Sequence, residues 1–135
     1  MSLSVATLLA YKGNSLITIP PGASVSEAVS RMVEADVGSV LVVADDRLQG
    51  VFTEREYLRR VVLEGRTPRE TRVEAVMTTG ATTVGLETSL EACLALLTEP
   101  AIRYLPVLDA DRLVGVVSIG DCVRAMANAR DESTA

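Results

Sequence analysis

The chain has 135 residues, of which 48% are hydrophobic but only 3% aromatic, so its core must be built from aliphatic side chains. A net charge of −5 opposes the basic surface that nucleic-acid binding requires, and the absence of histidine removes the commonest metal ligand and general base. No apolar run approaches the roughly 20 residues that cross a bilayer, which excludes a membrane-spanning class and, with no secretory leader visible, favours the cytoplasm.

The dominant feature of the sequence is an internal duplication. Residues 18–60 align with residues 83–125 without a gap, and the clearest match joins the run that starts at Asp46 to the run that starts at Asp111. A unit of about 60 residues buries too little surface to be secure alone. We therefore expect two copies of one structural unit that share a core.

The first copy begins with a short strand at Thr18 that ends in a Pro-Pro-Gly loop. Ser24 has the position and side chain of a helix N-cap, and apolar residues then recur at helical spacing. Two β-branched runs, 39–44 and 48–53, predict a hairpin joined through residues 45–47. A second helix is predicted directly after this hairpin, so the order of elements is β-α-β-β-α.

The second copy has the same predicted order. A short strand at Thr83 leads to an N-cap at Ser89 and a helix with one apolar face. Residues 104–108 and 113–118 predict a second hairpin, joined through residues 109–112. A helix is again predicted after the second hairpin strand.

These elements predict an α+β fold of two β-α-β-β-α repeats, packed sheet to sheet about a pseudo-twofold axis. A polar stretch separates the repeats, and its Gly65 and Pro68 break helix formation. The predicted boundaries are repeat 1 at 8–63, a linker at 64–76, repeat 2 at 77–128 and a flexible tail at 129–135.

The two cysteines of the chain, Cys93 and Cys122, both fall in segments predicted to be amphipathic helices. A buried thiol in such a position behaves as a small hydrophobic group. We therefore interpret both residues as free thiols of the core, in preference to a disulfide.

The sharpest local pattern stands at the end of each hairpin. Ser118 is followed three residues later by Asp121, and Thr53 by Glu56. One interpretation is a capping box, in which the hydroxyl and the carboxylate satisfy backbone N–H groups at a helix start. The other is a ligand site, because a helix start attracts phosphate and a carboxylate accepts hydrogen bonds from ribose hydroxyls. The two roles can coexist.

In this arrangement the chain resembles the cystathionine-β-synthase (CBS) domain family, whose repeats end in a glycine-hydrophobic strand followed by Ser or Thr, two residues and Asp. The run from Ile102 to Asp109 resembles the family's strand pattern, and Met77-Thr78 resembles its inter-repeat opening. The resemblance covers about residues 8–127 and is strongest to short bacterial proteins made only of a CBS pair. It implies an adenine ligand in the clefts between the repeats, such as AMP, ADP, ATP, NAD(H) or S-adenosylmethionine, and a homodimer.

The resemblance implies a first nucleotide site around the helix start of the second copy. Ser118 would face phosphate or ribose, Asp121 would hold the ribose hydroxyls, and Gly120 would keep the approach open. Arg103 is interpreted either as a phosphate ligand or as a solvated arginine at the strand edge. The first copy would complete this site, largely through backbone groups, with Thr18, Ile19, Pro20, Val37, Gly38 and Ser39.

A second, pseudo-symmetric site is implied around Thr53, Arg55 and Glu56. The family usually has Asp where this chain has Glu56, and the extra methylene moves the carboxylate by more than about 1 Å, so we expect weaker ribose binding there. Arg55 and Lys12 are either phosphate ligands or plain surface charges. Tyr104 either stacks on a base or covers the sheet. The other residues implied in this site are Thr83, Val84 and Ile102.

These features bear on three classes of function. The favoured one is a regulatory module that senses an adenine nucleotide (AMP, ADP, ATP or NAD(H)) and requires no cofactor or metal. The alternative is a ligand-free module for protein interaction or dimerisation through its apolar helices. Catalysis is not expected, because the sequence has no Gly-x-Ser-x-Gly elbow, no Walker loop and no paired thiols at redox spacing.

Overall fold

A computed structural model describes residues 3–12, 16–100 and 102–134, with the side chains of Lys12 and of residues 130–134 excepted. The chain divides into two compact units. The first unit is formed by residues 16–81. The second unit combines helix α1 (Val5–Lys12) with the residues from 82 onward. In the described part of the chain, no helix has the length and apolar character needed to cross a membrane.

The first unit has a three-stranded sheet covered by helices. Its β1 (Thr18–Ile19) pairs in parallel with β2 (Ser39–Ala44), and β2 pairs in antiparallel fashion with β3 (Arg47–Thr53). The predicted order of strand, helix, hairpin and helix is confirmed. The elements are β1 (Thr18–Ile19), α2 (Val25–Ala35), β2 (Ser39–Ala44), β3 (Arg47–Thr53) and α3 (Glu54–Glu56), which continues as a π-helical turn (Tyr57–Val62).

The π-helical turn is a departure from the regular helix that the sequence predicts. The Leu63 N–H donates to the carbonyl of Leu58, five residues earlier, at 3.0 Å. The wider turn leaves Leu58 and Val62 largely exposed, whereas Val61 lies in the core. After a loop, a short 3₁₀ turn at Val73–Ala75 returns the chain to the same core.

The second unit has a two-stranded antiparallel sheet and three helices. Its opening strand is reduced to a single parallel bridge between Val84 and Val107. The reason is a proline. In the first unit the Leu41 N–H donates to the Ile17 carbonyl at 3.0 Å, but the equivalent Pro106 has no N–H to donate. The regular elements after α1 are α4 (Leu90–Leu97), β4 (Tyr104–Asp109), β5 (Arg112–Ser118) and α5 (Ile119–Thr134).

Both predicted hairpins are confirmed, with tighter turns than the sequence suggested. Each turn has two residues, because Ala44 pairs with Arg47 and Asp109 pairs with Arg112. The central residues all adopt the left-handed conformation, with φ between 50° and 66°. Two such residues are what a tight hairpin turn requires, and aspartate tolerates this conformation better than most side chains. The four central residues are Asp45, Asp46, Ala110 and Asp111.

The helix starts follow the predicted pattern, and buried apolar side chains form the core of each unit. The side chains of Ser24 and Ser89 each accept a hydrogen bond from the N–H three residues later, at 3.1 Å, so both predicted N-caps are confirmed. Phe52 is the largest fully buried side chain of the first unit. Helix α1 contributes three buried residues to the core of the second unit, namely Val5, Leu8 and Leu9.

Two glycines at equivalent positions allow close packing in the two units. A Cβ atom on Gly50 would lie 2.6 Å from the sulfur of Met77 and 2.9 Å from the Thr78 carbonyl oxygen. A Cβ atom on Gly115 would lie 2.8 Å from both methyl groups of Leu9. Atoms do not approach this closely, so each position excludes any larger residue unless its neighbour moves. The equivalent glycines are thus packed against different segments, residues 77–78 in the first unit and α1 in the second.

The cysteines are free thiols and fully buried, as the sequence predicts. Cys93 on α4 and Cys122 on α5 belong to the core of the second unit. Burial raises the pKa of the Cys93 thiol, and a hydrogen bond with the Cys122 side chain offsets part of this effect. The neutral thiol is therefore favoured, which suits a group that packs as a small apolar side chain.

Candidate functional site

The Ser118 and Asp121 motif forms a complete capping box at the start of α5. The Ser118 N–H donates to Oδ2 of Asp121 at 3.0 Å, and the Asp121 N–H donates to Oγ of Ser118 at 3.2 Å. Each side chain thus satisfies the backbone of the other. The capping interpretation is confirmed, and it leaves the carboxylate fixed beside the N-terminus of a 16-residue helix.

The second carboxylate oxygen of Asp121 is engaged by an arginine that the sequence analysis did not single out. Nη2 of Arg124 donates to Oδ1 of Asp121 at 2.7 Å. The Asp121 side chain is only 12% exposed, whereas that of Arg124 is 71% exposed. The three-residue spacing on a helix is a visible signal for such a pair. The guanidinium lies over Gly120, where a Cβ atom would come within 3.2 Å of Nη1.

The register of the second sheet brings further predicted residues to the same end of the unit. Tyr104 pairs with Ser118 across the two strands, and its side chain is half-buried. Arg103 directly precedes that strand and is exposed. Ile102 is half-buried, and its N–H donates to the Glu99 carbonyl at 3.0 Å.

The opening segment of the second unit contributes less to this end. Thr83 is exposed, whereas Val84 is buried. The Val84 N–H donates to the Pro106 carbonyl at 3.0 Å, and its own carbonyl accepts from Leu108 at 2.9 Å. The polar backbone groups of Val84 are thus used in the sheet.

The equivalent motif of the first unit is closed more tightly. Oε1 of Glu56 accepts both the Thr53 N–H, at 2.9 Å, and the Thr53 hydroxyl, at 2.6 Å. The Arg55 N–H in turn donates to the Thr53 hydroxyl at 3.1 Å, and the Arg55 side chain is exposed. One oxygen of Glu56 therefore makes both contacts, whereas Asp121 divides its contacts between two oxygens.

The remaining predicted residues of the first unit lie along the β1 and β2 strands. Ser39 pairs with Thr53, and the Gly38 carbonyl accepts from the Glu54 N–H at 3.1 Å. The Thr18 carbonyl accepts a hydrogen bond from the Arg31 side chain. Three predicted residues differ in exposure, since Ile19 is in the core, Val37 is 38% exposed and Pro20 is exposed.

The first unit also has an open pocket on its helical side, with a volume of about 390 Å³. It contains two of the predicted residues together with apolar side chains and two carboxylates. Its lining residues are Val29, Met32, Val33, Asp36, Val37, Gly38, Glu54 and Tyr57.

Each unit thus brings its own hydroxyl-carboxylate motif next to its own strand ends. The cleft that would combine residues 18–20 and 37–39 with Ser118 and Asp121 stays a prediction. Lys12 ends α1, and its side chain lies outside the described residues. Within the described ranges, no group of three Cys, Asp or Glu side chains could hold a metal ion.

Comparison with known proteins identifies the family. The CBS domain model matches twice, at residues 13–63 and 73–128. The mitochondrial CBS domain-containing protein CBSX3 of Arabidopsis thaliana is 37% identical over 114 residues, which are 81% of this chain but 55% of that protein. This chain therefore spans about half the length of that relative.

Two further comparisons cover about four fifths or more of both chains. The CBS domain-containing protein YhcV of Bacillus subtilis is 36% identical over 112 residues, which are 82% of this chain and 79% of that protein. The crystal structure of the CBS domain protein NE2398 superposes with a TM-score of 0.86 at 36% identity, covering 94% of this chain and 99% of that one. With two family matches that together span most of its length, the chain belongs to the CBS domain family and carries the repeat twice.

Proposed function

We propose that this protein is a regulatory module that binds an adenine nucleotide at the start of α5. The observation that carries the proposal is the Asp121 carboxylate, which is mostly buried and fixed by Ser118 beside a helix N-terminus. A helix start presents backbone N–H groups that have no acceptor within the helix, together with the positive end of its dipole. Such a place favours phosphate.

The same carboxylate suits a ribose. Oδ2 of Asp121 accepts a hydrogen bond from the Ser118 N–H, and Oδ1 accepts one from Arg124. A carboxylate has about four lone-pair sites, so it can also accept bonds from two ribose hydroxyls. A nucleotide has both of the groups that this arrangement favours, a ribose diol and a phosphate.

We propose that the Asp121 site is the stronger of the two equivalent sites. Glu56 has folded back on Thr53 through a single oxygen, and its two contacts there must be disturbed before the carboxylate can turn to a ligand. The first-repeat residues implied in the Asp121 site, and Arg103, are further proposed contacts. AMP, ADP, ATP and NAD(H) all have the required groups.

The proposed role is regulatory and not catalytic, and the proposed location is the cytoplasm. A nucleotide regulates only if it binds one conformation of the module more tightly than another. In this proposal, nucleotide binding would favour one arrangement of the two repeats over another. A CBS pair of this kind would pass the signal to another protein.

Thermal unfolding with a panel of ligands tests the proposal. AMP, ADP, ATP, NAD and NADH are added to the wild type and to Asp121→Ala, with Glu56→Ala as the matched control at the equivalent position. At 100 times its dissociation constant, a ligand adds about 2.7 kcal/mol to the free energy of unfolding. We expect at least one nucleotide to raise the melting temperature of the wild type and the control by several degrees, and to have little effect on Asp121→Ala.

Each shift is measured from the ligand-free melting temperature of the same variant, because losing the capping carboxylate lowers stability by itself. If no nucleotide shifts the wild type, the nucleotide proposal is wrong. The module would then be one for protein interaction.

We also propose that the protein is a homodimer formed through its helices. Large apolar side chains on helical surfaces are strongly exposed in the single chain, which is typical of an interface. They include Val33 at 73%, Leu58 at 56% and Val62 at 51% in the first unit, and Ile119 at 52% and Val123 at 55% in the second.

Light scattering after gel filtration should give twice the 14.3 kDa mass of one chain. Leu58→Glu places a charge on the apolar helical surface, and we expect it to shift the mass towards one chain. Gln49→Glu, at an exposed polar position of β3, is the control and should leave a dimer formed through the helices intact. A wild type of single-chain mass would contradict the dimer.

A further inference from the structure

The Arg124 guanidinium pairs with Asp121 and still has N–H donors that could contact a ligand. Its Nη2 is 2.7 Å from Oδ1 of Asp121, and the side chain is nevertheless 71% exposed. A guanidinium has five N–H donors in a rigid plane. The contact with Asp121 fixes the position of this plane while most of its donors remain directed elsewhere.

Charge gives a reason for an arginine here. A phosphate that approaches the start of α5 comes close to the Asp121 carboxylate, and two negative charges a few ångströms apart repel each other. The Arg124 guanidinium is paired with that carboxylate and offsets its charge. Arginine also forms two parallel hydrogen bonds to phosphate oxygens, which gives it an advantage over other cationic side chains.

Gly120 leaves room for the Arg124 guanidinium. A Cβ atom there would lie 3.2 Å from Nη1 of Arg124, so the absence of a side chain lets the guanidinium lie against the first turn of α5. The first unit differs at both points. The residue equivalent to Gly120 is Arg55, and the residue equivalent to Arg124 is Arg59. Among the described side chains, Glu56 contacts Thr53 and forms no ion pair with Arg59.

We propose that Arg124 is a phosphate-binding residue that makes the site prefer nucleoside phosphates to uncharged nucleosides. This inference rests on the proposed nucleotide function of the same site. Asp121 holds the ribose and positions Arg124, and Arg124 binds the phosphate beside the N-terminus of α5. The same positive charge disfavours cationic adenosine ligands, such as a sulfonium.

Calorimetric titration with AMP and with adenosine separates the two contributions. The variants are Arg124→Gln, which keeps the length and polarity but removes the charge, and Arg112→Gln as the control at an exposed position of the same unit. Hydrogen bonds to charged groups imply that AMP affinity falls by about tenfold or more in Arg124→Gln. Adenosine affinity should change by less than about twofold, and the control should bind both ligands like the wild type.

The outcomes are distinguishable. An equal loss of affinity for AMP and adenosine would mean that Arg124 only positions Asp121. Unchanged affinity for both ligands would mean that Arg124 forms only a surface ion pair. Either result overturns the inference but leaves the proposed nucleotide site in place. A wild type that binds neither ligand overturns the proposed function and this inference together. Arg124→Lys, which keeps the charge without the planar fork, should recover part of the AMP affinity and confirm the role of charge.

Discussion

Replacing Phe52 by alanine is expected to lower the free energy of unfolding by about 3–5 kcal/mol. Phe52 lies on β3 in the core of the first unit and has no exposed surface. Its removal leaves a cavity among side chains held by the sheet on one side and α2 on the other. Since close-packed cores relax only in part, the neighbours cannot fill that space. Urea denaturation of the purified variant measures the change.

Leu63→Ala is the matched control, because it removes a large apolar side chain that is 81% exposed. Surface substitutions of this kind change stability by about 0.5 kcal/mol or less. A loss for Phe52→Ala as small as that of the control would show that residue 52 is not in a packed core.

Gly50→Ala is expected to lower the free energy of unfolding by about 1–3 kcal/mol, as overpacking does. The new Cβ atom would lie 2.6 Å from the Met77 sulfur and 2.9 Å from the Thr78 carbonyl oxygen. Met77 has a flexible side chain, but the Thr78 backbone is held by two hydrogen bonds to Val51, each 2.9 Å long. The segment after the linker must therefore move away from β3. Thermal or urea denaturation measures the loss.

Two other glycines give a graded comparison. In Gly115→Ala the atoms nearest to the new Cβ all belong to the Leu9 side chain, which can change rotamer, so we expect a smaller loss than for Gly50→Ala. Gly22→Ala meets nothing within 4 Å and should be close to neutral. If Gly50→Ala were as mild as Gly22→Ala, the segment at residues 77–78 would not pack on β3 as described.

Local chemistry explains why much of the fold could be predicted from sequence. The N-caps at Ser24 and Ser89 depend on a hydroxyl and the next turn of backbone, and both were predicted. The hairpins follow from β-branched runs around acidic turns, though the two-residue turn depends on left-handed φ angles that the runs do not specify. The strand predicted at Thr83 is reduced to a single bridge because Pro106 has no N–H to donate. The alignment of the two copies predicted a full strand there because it did not take this proline into account.

Features that depend on distant contacts were not predicted. Nothing in the apolar pattern of α1 specifies that Leu9 packs against Gly115 in the second unit. The π-helical turn from Tyr57 to Val62 likewise differs from the 3.6-residue spacing on which helix prediction relies. In the candidate site, the Ser118 and Asp121 geometry followed from a local motif, but Arg124 was overlooked although it is only three residues further on.

The asymmetry between the two carboxylates has a functional implication. Asp121 reaches Ser118 and Arg124 with separate oxygens, whereas Glu56 uses one oxygen for both of its contacts with Thr53. Duplicated sites need not remain equivalent, and a single methylene is enough to alter how a carboxylate is held. We therefore expect the two motifs to differ in how readily their carboxylates turn to a ligand.

The packing of α1 on the second unit also affects the order in which the two units can fold during translation. During translation α1 is synthesised before the first unit, whereas β5 and α5, which complete the core around Leu9, are synthesised after it. Until then the apolar face of α1 lacks its packing partners, whereas residues 16–81 are contiguous and can form their core around Phe52 as soon as they are synthesised. Deletion of α1 would therefore destabilise the second unit, whose other elements follow the first unit in the sequence.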